Sequence, residues 1–176
     1  MQTPKPRTRW TLAIASLALF MVVLDNLIVT VALPSIRTDL GASLQQLEWT
    51  VNAYTLAFAV TLIPGAAIGD RFGRKRTFLG GLALFTASSA AAALASGAAE
   101  LVAARAAQGV GGAIVAPLTL TLLAEAFPPE RRGAALGIWS GISGMGIALG
   151  PLVGRAVGEG RKLPRTPERS ADNRRP

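Results

Sequence analysis

The sequence predicts an all-α fold, a polytopic bundle of transmembrane helices, and three observations carry that expectation. Of 176 residues, 51% are hydrophobic and only 16% charged, against roughly 25% charge in an average soluble domain. The charges are clustered, so five windows are nearly free of ionisable groups: Trp10 to Leu33, Trp49 to Ile68, Thr77 to Ala99, Leu101 to Ala124 and Gly133 to Gly154. Each window spans 20 to 24 residues, enough to cross a hydrocarbon core of ~30 Å at ~1.5 Å per residue. Finally, the basic residues alternate between the segments that join the windows. Nine lie in the N-terminus and even-numbered loops (Lys5, Arg7, Arg9, Arg71, Arg74, Lys75, Arg76, Arg131, Arg132), while the opposite segments hold Arg37 alone. That bias places the N-terminus in the cytoplasm of a multi-pass cell-membrane protein.

The first span follows a basic segment, residues 1–9, and so imitates a signal peptide. Its apolar core is long, no small-residue cleavage site follows it, and the next features are Asp25, Asn26 and an expected turn at Pro34, so a retained helix is expected. Asp25 lies past the midpoint of this span, and a carboxylate is too short to snorkel to the interface. The second span opens at Trp49, which with Trp10 suits an interfacial anchor. Asn52, Tyr54 and Phe58 on this span face either a cavity or the core.

The loop Gly69-Asp70-Arg71-Phe72-Gly73-Arg74-Lys75-Arg76 is bracketed by the second and third spans. Topogenic charge explains its basic residues but not an Asp and two glycines among them. The glycines are expected to allow a tight turn, and Asp70 to receive an arginine or cap the next helix. In the fourth span Arg105 sits one turn in. A lone charge at membrane depth costs ~2.5–3.5 kcal/mol on insertion scales, and two opposite charges at similar depth offset much of that by pairing. Asp25 and Arg105 are therefore expected as a pair, with Asp25 the group that loads and releases a proton; the alternative for Arg105, near a helix end, is that it snorkels to the interface. Gln108, Gly109, Gly111 and Gly112 lie inside a span and follow no strand, so they are not a dinucleotide loop.

The fifth span carries two glycine series at four-residue spacing: Gly133, Gly137, Gly141, and Gly146, Gly150, Gly154. Each trio falls on nearly one helix face, where another backbone can approach closely, and Pro151 permits a kink. Helix–helix association through this face is expected. The transmembrane segment thus runs over residues 10–154. Beyond it, Arg155 through Pro176 holds seven of the eighteen basic residues and three prolines with no apolar period. That composition predicts a disordered tail. Five crossings would put it on the outer side against the charge bias, so either the fifth span does not fully cross or the tail is not the native continuation of the helices before it.

Composition also excludes chemistry. There is no cysteine and no histidine, hence no disulfide framework, thiolate or imidazole metal site, cysteine nucleophile or Ser-His-Asp triad. No metal and no cofactor other than a coupling proton are expected, and no nucleophile–base pair suggests an enzyme. The sequence pI near 11.4 would suit a nucleic-acid binder if the chain were soluble. Because the basic residues punctuate apolar spans, the expected partner is the lipid bilayer and not nucleic acid.

The ordered motifs resemble the major facilitator superfamily, specifically the N-terminal part of its fourteen-helix drug:proton antiporter branch. Leu24-Asp25 followed by Val31-Ala32-Leu33-Pro34 is similar to the branch's first-helix motif, and Trp49 to Leu56 to its second-helix opening. Gly69 to Arg76 resembles the superfamily's loop between helices two and three. Arg105, Gln108, Gly109 and Gly111 resemble the fourth-helix motif, and Gly146, Gly150, Pro151 and Gly154 the fifth-helix antiporter motif. The resemblance implies proton coupling through Asp25 and Arg105, a cytoplasmic gate in the Gly69–Arg76 loop, and an unspecified small-molecule substrate. It departs where Arg155 replaces an expected second glycine, and it ends after about Gly160. No sixth helix follows, so the expected fold is an incomplete six-helix half built from inverted three-helix repeats.

The function expected from these readings is proton-coupled efflux of drugs or other small amphiphilic molecules by a transporter here truncated, with a frameshift or premature stop creating the tail. Helices encoded downstream in another frame would be the mark of that event. The alternatives are a non-transporting membrane fragment, a helical partner of a full-length transporter, and a small carrier whose dimer encloses a cavity.

Overall fold

The computed structural model describes residues 6–159, with side chains described over residues 8–145. These residues form five helices: α1 (Pro6–Leu40), α2 (Leu44–Phe72), α3 (Arg74–Ala93), α4 (Ala98–Ala126) and α5 (Pro129–Glu159). No strand occurs among them. Helices α1, α2 and α4 are long and apolar enough to cross a membrane. The shorter α3 begins with Arg74-Lys75-Arg76 and ends in an alanine run, and so has a weaker apolar signal.

Helix α1 does not turn at Pro34. The proline lies inside the helix, which runs on to Leu40. A proline costs a helix one backbone hydrogen bond and some bending, and both are tolerated where a long apolar segment keeps the remaining bonds intact. The chain reverses instead at Gly41, whose φ of 58° is left-handed. Ser43 then starts α2 with a reciprocal cap: its hydroxyl accepts from Gln46 N at 3.3 Å, and Gln46 Oε1 accepts from Ser43 N at 2.9 Å.

The third apolar window also overran its helix. It was expected to reach Ala99, but α3 stops at Ala93 and α4 has already begun by Ala98. The cause is polar capping within an apolar-looking stretch. Glu100 accepts from both the backbone N and the hydroxyl of Ser96, at 2.8 and 2.9 Å, and this closes the turn onto the first turn of α4.

Helix α4 is the axis of the bundle. It packs against α2 and α3 and, less extensively, against α1, while α5 lies mainly along α1. One core cluster joins Ala18 and Val22 of α1, Tyr54 of α2, Phe78 and Phe85 of α3, and Val115 and Leu118 of α4. A second joins Ala15, Leu123, Phe127 and Ala135, with Trp139 packed against it. Trp10 and Trp49 are exposed at helix ends, where interfacial anchors belong.

Helix α5 includes Gly146, Gly150, Pro151 and Gly154, but their side-chain surroundings lie outside the described residues. The first five residues of the expected tail, 155–159, continue α5, and residues 160–176 lie outside the described residues.

Candidate functional site

Two fully buried polar side chains, Arg105 and Gln108, each 1% exposed, meet a partly buried carboxylate at one point between α1, α2 and α4. Arg105 and Gln108 stand one turn apart on α4, so they share a face, and that face meets Asp25 near the middle of α1. The Nη1 of Arg105 donates to Asp25 Oδ2 at 2.6 Å and to Gln108 Oε1 at 2.7 Å. Gln108 Nε2 donates in turn to Asp25 Oδ1 at 2.7 Å. Three side chains thereby close a triangle in which both carboxylate oxygens are occupied.

The rest of the guanidinium is also partnered. Nη2 donates to Asn26 Oδ1 at 3.3 Å and Nε to the Thr50 carbonyl at 3.4 Å. The Tyr54 ring lies under the guanidinium, 4.2 Å from its centroid, a favourable cation–π placement. Arg105 is 1% exposed and Asp25 18%, so the anion faces a less enclosed environment than the cation. Burying an ion pair is costly unless every remaining donor and acceptor is satisfied, and this cluster comes close to that condition.

Glycines make the convergence possible. A Cβ on Gly109 would run into the Tyr54 carbonyl oxygen, and one on Gly111 would meet Phe85 N at 2.7 Å and Gly81 O at 2.9 Å. One on Gly112 would meet the Tyr54 hydroxyl at 2.8 Å. Gly109 and Gly111 therefore let α2 and α3 approach α4 backbone to backbone, as small residues do in membrane bundles. The polar residues of the fourth-helix motif supply the cluster, and its glycines bring the neighbouring helices close enough to complete it.

Of the residues left open on the second span, Tyr54 belongs to the core and stacks on Phe58, with centroids 6.0 Å apart. Both also line a cavity of about 340 Å³ shared with Val22, Val23, Asn26 and Thr55. Asn52 is exposed and lies elsewhere, in an outer groove with Leu33, Pro34 and Arg37. Sequence reasoning missed Asn26, Thr50 and Tyr54 as partners of Arg105. The position of Asn26 beside Asp25, and of Thr50 and Tyr54 one helical turn apart, was the available signal.

The Gly69–Arg76 segment forms a second polar cluster at the junction of α2 and α3. Gly73 ends α2 and precedes α3 with φ 99°, a conformation that L side chains rarely adopt. Gly69, expected in the turn, instead lies inside α2, where a Cβ would come 2.5 Å from Leu118 Cδ2. It is a contact glycine because α4 passes directly over it. Asp70 does not cap α3, which has no side-chain cap. Its carboxylate accepts from Arg74 at 2.8 Å, and Arg74 also pairs closely with Glu125 of α4. The hydrogen bond to Asp70, with the charges of Glu125 and Asp70 behind it, raises the Arg74 guanidinium above its ordinary value. Glu125 was the partner missed here. Arg71, Lys75 and Arg76 are exposed, with Arg71 resting over the Phe72 ring.

On α5 the first glycine series packs on none of the described residues. Added Cβ atoms at Gly133, Gly137 and Gly141 would meet no atom within 4 Å. The helix contacts α1 and the end of α4 through Ala135, Leu136 and Trp139 instead.

Against known proteins, the family model described as Major Facilitator Superfamily matches residues 15–160. The chain is 45% identical over 144 residues to a tetracenomycin C resistance and export protein of Streptomyces glaucescens, covering 82% of this chain and 27% of that protein. It is 47% identical over 155 residues to a cephamycin export protein of Amycolatopsis lactamdurans, covering 87% and 32%. A puromycin resistance protein of Streptomyces alboniger is 41% identical over 159 residues, covering 90% and 32%. The chain thus spans about a quarter to a third of the length of these relatives.

Proposed function

The chain belongs to the major facilitator superfamily, and from that premise we propose that it carries the proton-coupling and cytoplasmic-gating part of an exporter of small amphiphilic molecules. It is an integral membrane protein. In this reading it sits in the cell membrane with its N-terminus in the cytoplasm, works without covalent chemistry, and uses the proton as coupling ion.

One observation carries the proposal: a fully buried guanidinium paired with a partly buried carboxylate from a different helix, the two bridged by Gln108. A structural core gains little from such a pair, because hydrophobic residues of similar volume often stabilise as well or better. A switch needs it. Protonating Asp25 removes the charge that holds Arg105, and the guanidinium is then free to choose among Gln108, Asn26 and the Thr50 carbonyl. Proton occupancy becomes a change in how α1 is tied to α4. The cavity beside Asn26 and Tyr54 touches the same guanidinium through both residues, so cargo lodged there would feel that change. The Arg74 bridge from Asp70 to Glu125 would close the cytoplasmic end.

The test is reconstitution in vesicles under an imposed pH gradient, for the chain alone and for the chain together with the unmatched remainder of the tetracenomycin C resistance and export protein. Ethidium efflux and proton uptake are recorded for wild type and Asp25→Asn. Loss of both in an Asp25→Asn protein that inserts normally supports the assignment; retained coupled efflux removes Asp25 as the carrier. A second reading, a helical partner without transport of its own, is favoured by the uncovered Gly133–Gly137–Gly141 face. It predicts association with the remainder but no flux in either sample.

A further inference from the structure

At the end of the bundle that holds the α2–α3 junction, α1 and α3 hardly touch, because each leans on α4. The gap between them is a groove of about 520 Å³. Its walls are two helix faces at four-residue spacing, Trp10 and Ile14 on α1 and Lys75 and Leu79 on α3, and Leu122 of α4 lies between. Trp10 is 70% exposed, and Ile14 and Leu79 about half exposed. The groove therefore offers apolar side chains along its length and one ammonium group at its rim.

Lys75 is the informative residue. Arg74 before it is fully engaged by Asp70 and Glu125. Lys75 also borders the shallow pocket over those two carboxylates, yet it forms no ion pair with the described residues. It is exposed and stands at the same end of the bundle as Trp10, a residue type that settles at headgroup depth. An apolar furrow with an interfacial tryptophan and an uncommitted cation is complementary to a molecule with an apolar chain and an anionic head. Basic pockets between transmembrane helices recognise such headgroups.

We infer that this groove is a binding site for an anionic phospholipid, its phosphate on the Lys75 ammonium and an acyl chain along Ile14, Leu79 and Leu122. The site is separate from the Asp25–Arg105 cluster and does not depend on transport. Filling it would wedge α1 against α3 beside the junction that Arg74 ties to α4, so the lipid would stiffen that end of the bundle.

The test uses Trp10 as its own reporter. The chain carries Trp49→Phe and Trp139→Phe, leaving Trp10 as the remaining tryptophan. It is placed in phosphatidylcholine nanodiscs containing a minor fraction of dibrominated phosphatidylglycerol or, in parallel, dibrominated phosphatidylcholine. Bromine quenches by contact, so quenching reads local lipid composition. The expected result is an apparent affinity about fivefold higher for the brominated anionic lipid, the scale of one basic residue near a membrane surface. Lys75→Gln abolishes the preference and Arg76→Gln keeps it. Circular dichroism shows that each variant retains the helical content of the parent. Equal quenching by the two lipids in the parent overturns the site. So does equal loss in both variants, which would mean diffuse surface charge, and so does a preference that survives Lys75→Gln.

Discussion

Gln108 Nε2 lies 2.7 Å from Asp25 Oδ1, on the carboxylate oxygen that Arg105 leaves free. The amide also accepts from Arg105 through its own oxygen, so Gln108 holds cation and anion at once. Replacing it with Leu keeps the volume roughly and leaves a buried acceptor and a buried donor each short of a partner. Such unsatisfied groups cost ~1–3 kcal/mol. Thermal unfolding of detergent-solubilised chain, followed by circular dichroism, should show Gln108→Leu destabilised on that scale. Gln108→Asn, whose shorter side chain reaches only one partner, should fall between the two. A Leu variant as stable as wild type would mean that water replaces the amide.

Removing one side of the ion pair should cost more than removing both. Asp25→Ala strands a guanidinium that is 1% exposed, and an uncompensated buried charge of this kind is worth ~3–5 kcal/mol. Asp25→Ala combined with Arg105→Leu should recover a large part of that loss, because the pair's desolvation cost disappears with its attraction. Denaturation of the two single variants and the double variant forms a thermodynamic cycle. Purely additive losses would show that the two side chains are not coupled.

Much of this arrangement was legible in the residues themselves, for identifiable reasons. Asp25 and Arg105 stood out because charge in an apolar run is costly, so the rarity of the residue type marked both. Their neutral partners carried no such mark: Asn26, Thr50 and Tyr54 are ordinary residues until the packing of α4 brings them to the guanidinium. Gly69 and Gly73 look alike in sequence, yet one is a helix contact and the other a left-handed junction. Only the path of α4 over α2 separates them. The expected turn at Pro34 failed because proline weakens a helix locally, while the length of an apolar span is set by the bilayer. Glu125 escaped notice because a carboxylate at the end of an apolar window is a common solvated charge, and its partner lies 51 positions away.

The Arg74 bridge should behave as a surface contact with a local effect. Its members are exposed or half-buried, where ion pairs contribute little to global stability and are weakened by salt. Glu125→Gln is therefore expected to leave the unfolding midpoint nearly unchanged while raising amide hydrogen exchange over residues 70–76. High salt should do the same to the wild type and add little to the variant. Exchange that rises throughout the bundle would instead identify Glu125 as a structural support, and unchanged exchange would show that the bridge does not restrain the junction.

Glycines on α4 and α5 should respond in opposite ways to alanine. At Gly109 the added methyl meets the Tyr54 carbonyl oxygen and lies 3.1 Å from the Tyr54 carbonyl carbon and Cα. Those are backbone atoms of a packed helix and cannot rotate away, so α2 must shift from α4. Overpacking of this kind costs ~1–3 kcal/mol, and the shift also withdraws the Tyr54 ring from beneath Arg105. At Gly133, Gly137 and Gly141 a methyl meets none of the described residues, and alanine improves helix propensity by up to ~1 kcal/mol per residue. Gly109→Ala should therefore lower the unfolding midpoint, and Gly137→Ala should hold or raise it. The same Gly137→Ala chain, mixed with the unmatched remainder of a full-length relative, should associate less well than wild type if that open face receives another helix. Co-purification yield measures this directly, and unimpaired association would assign the face to lipid.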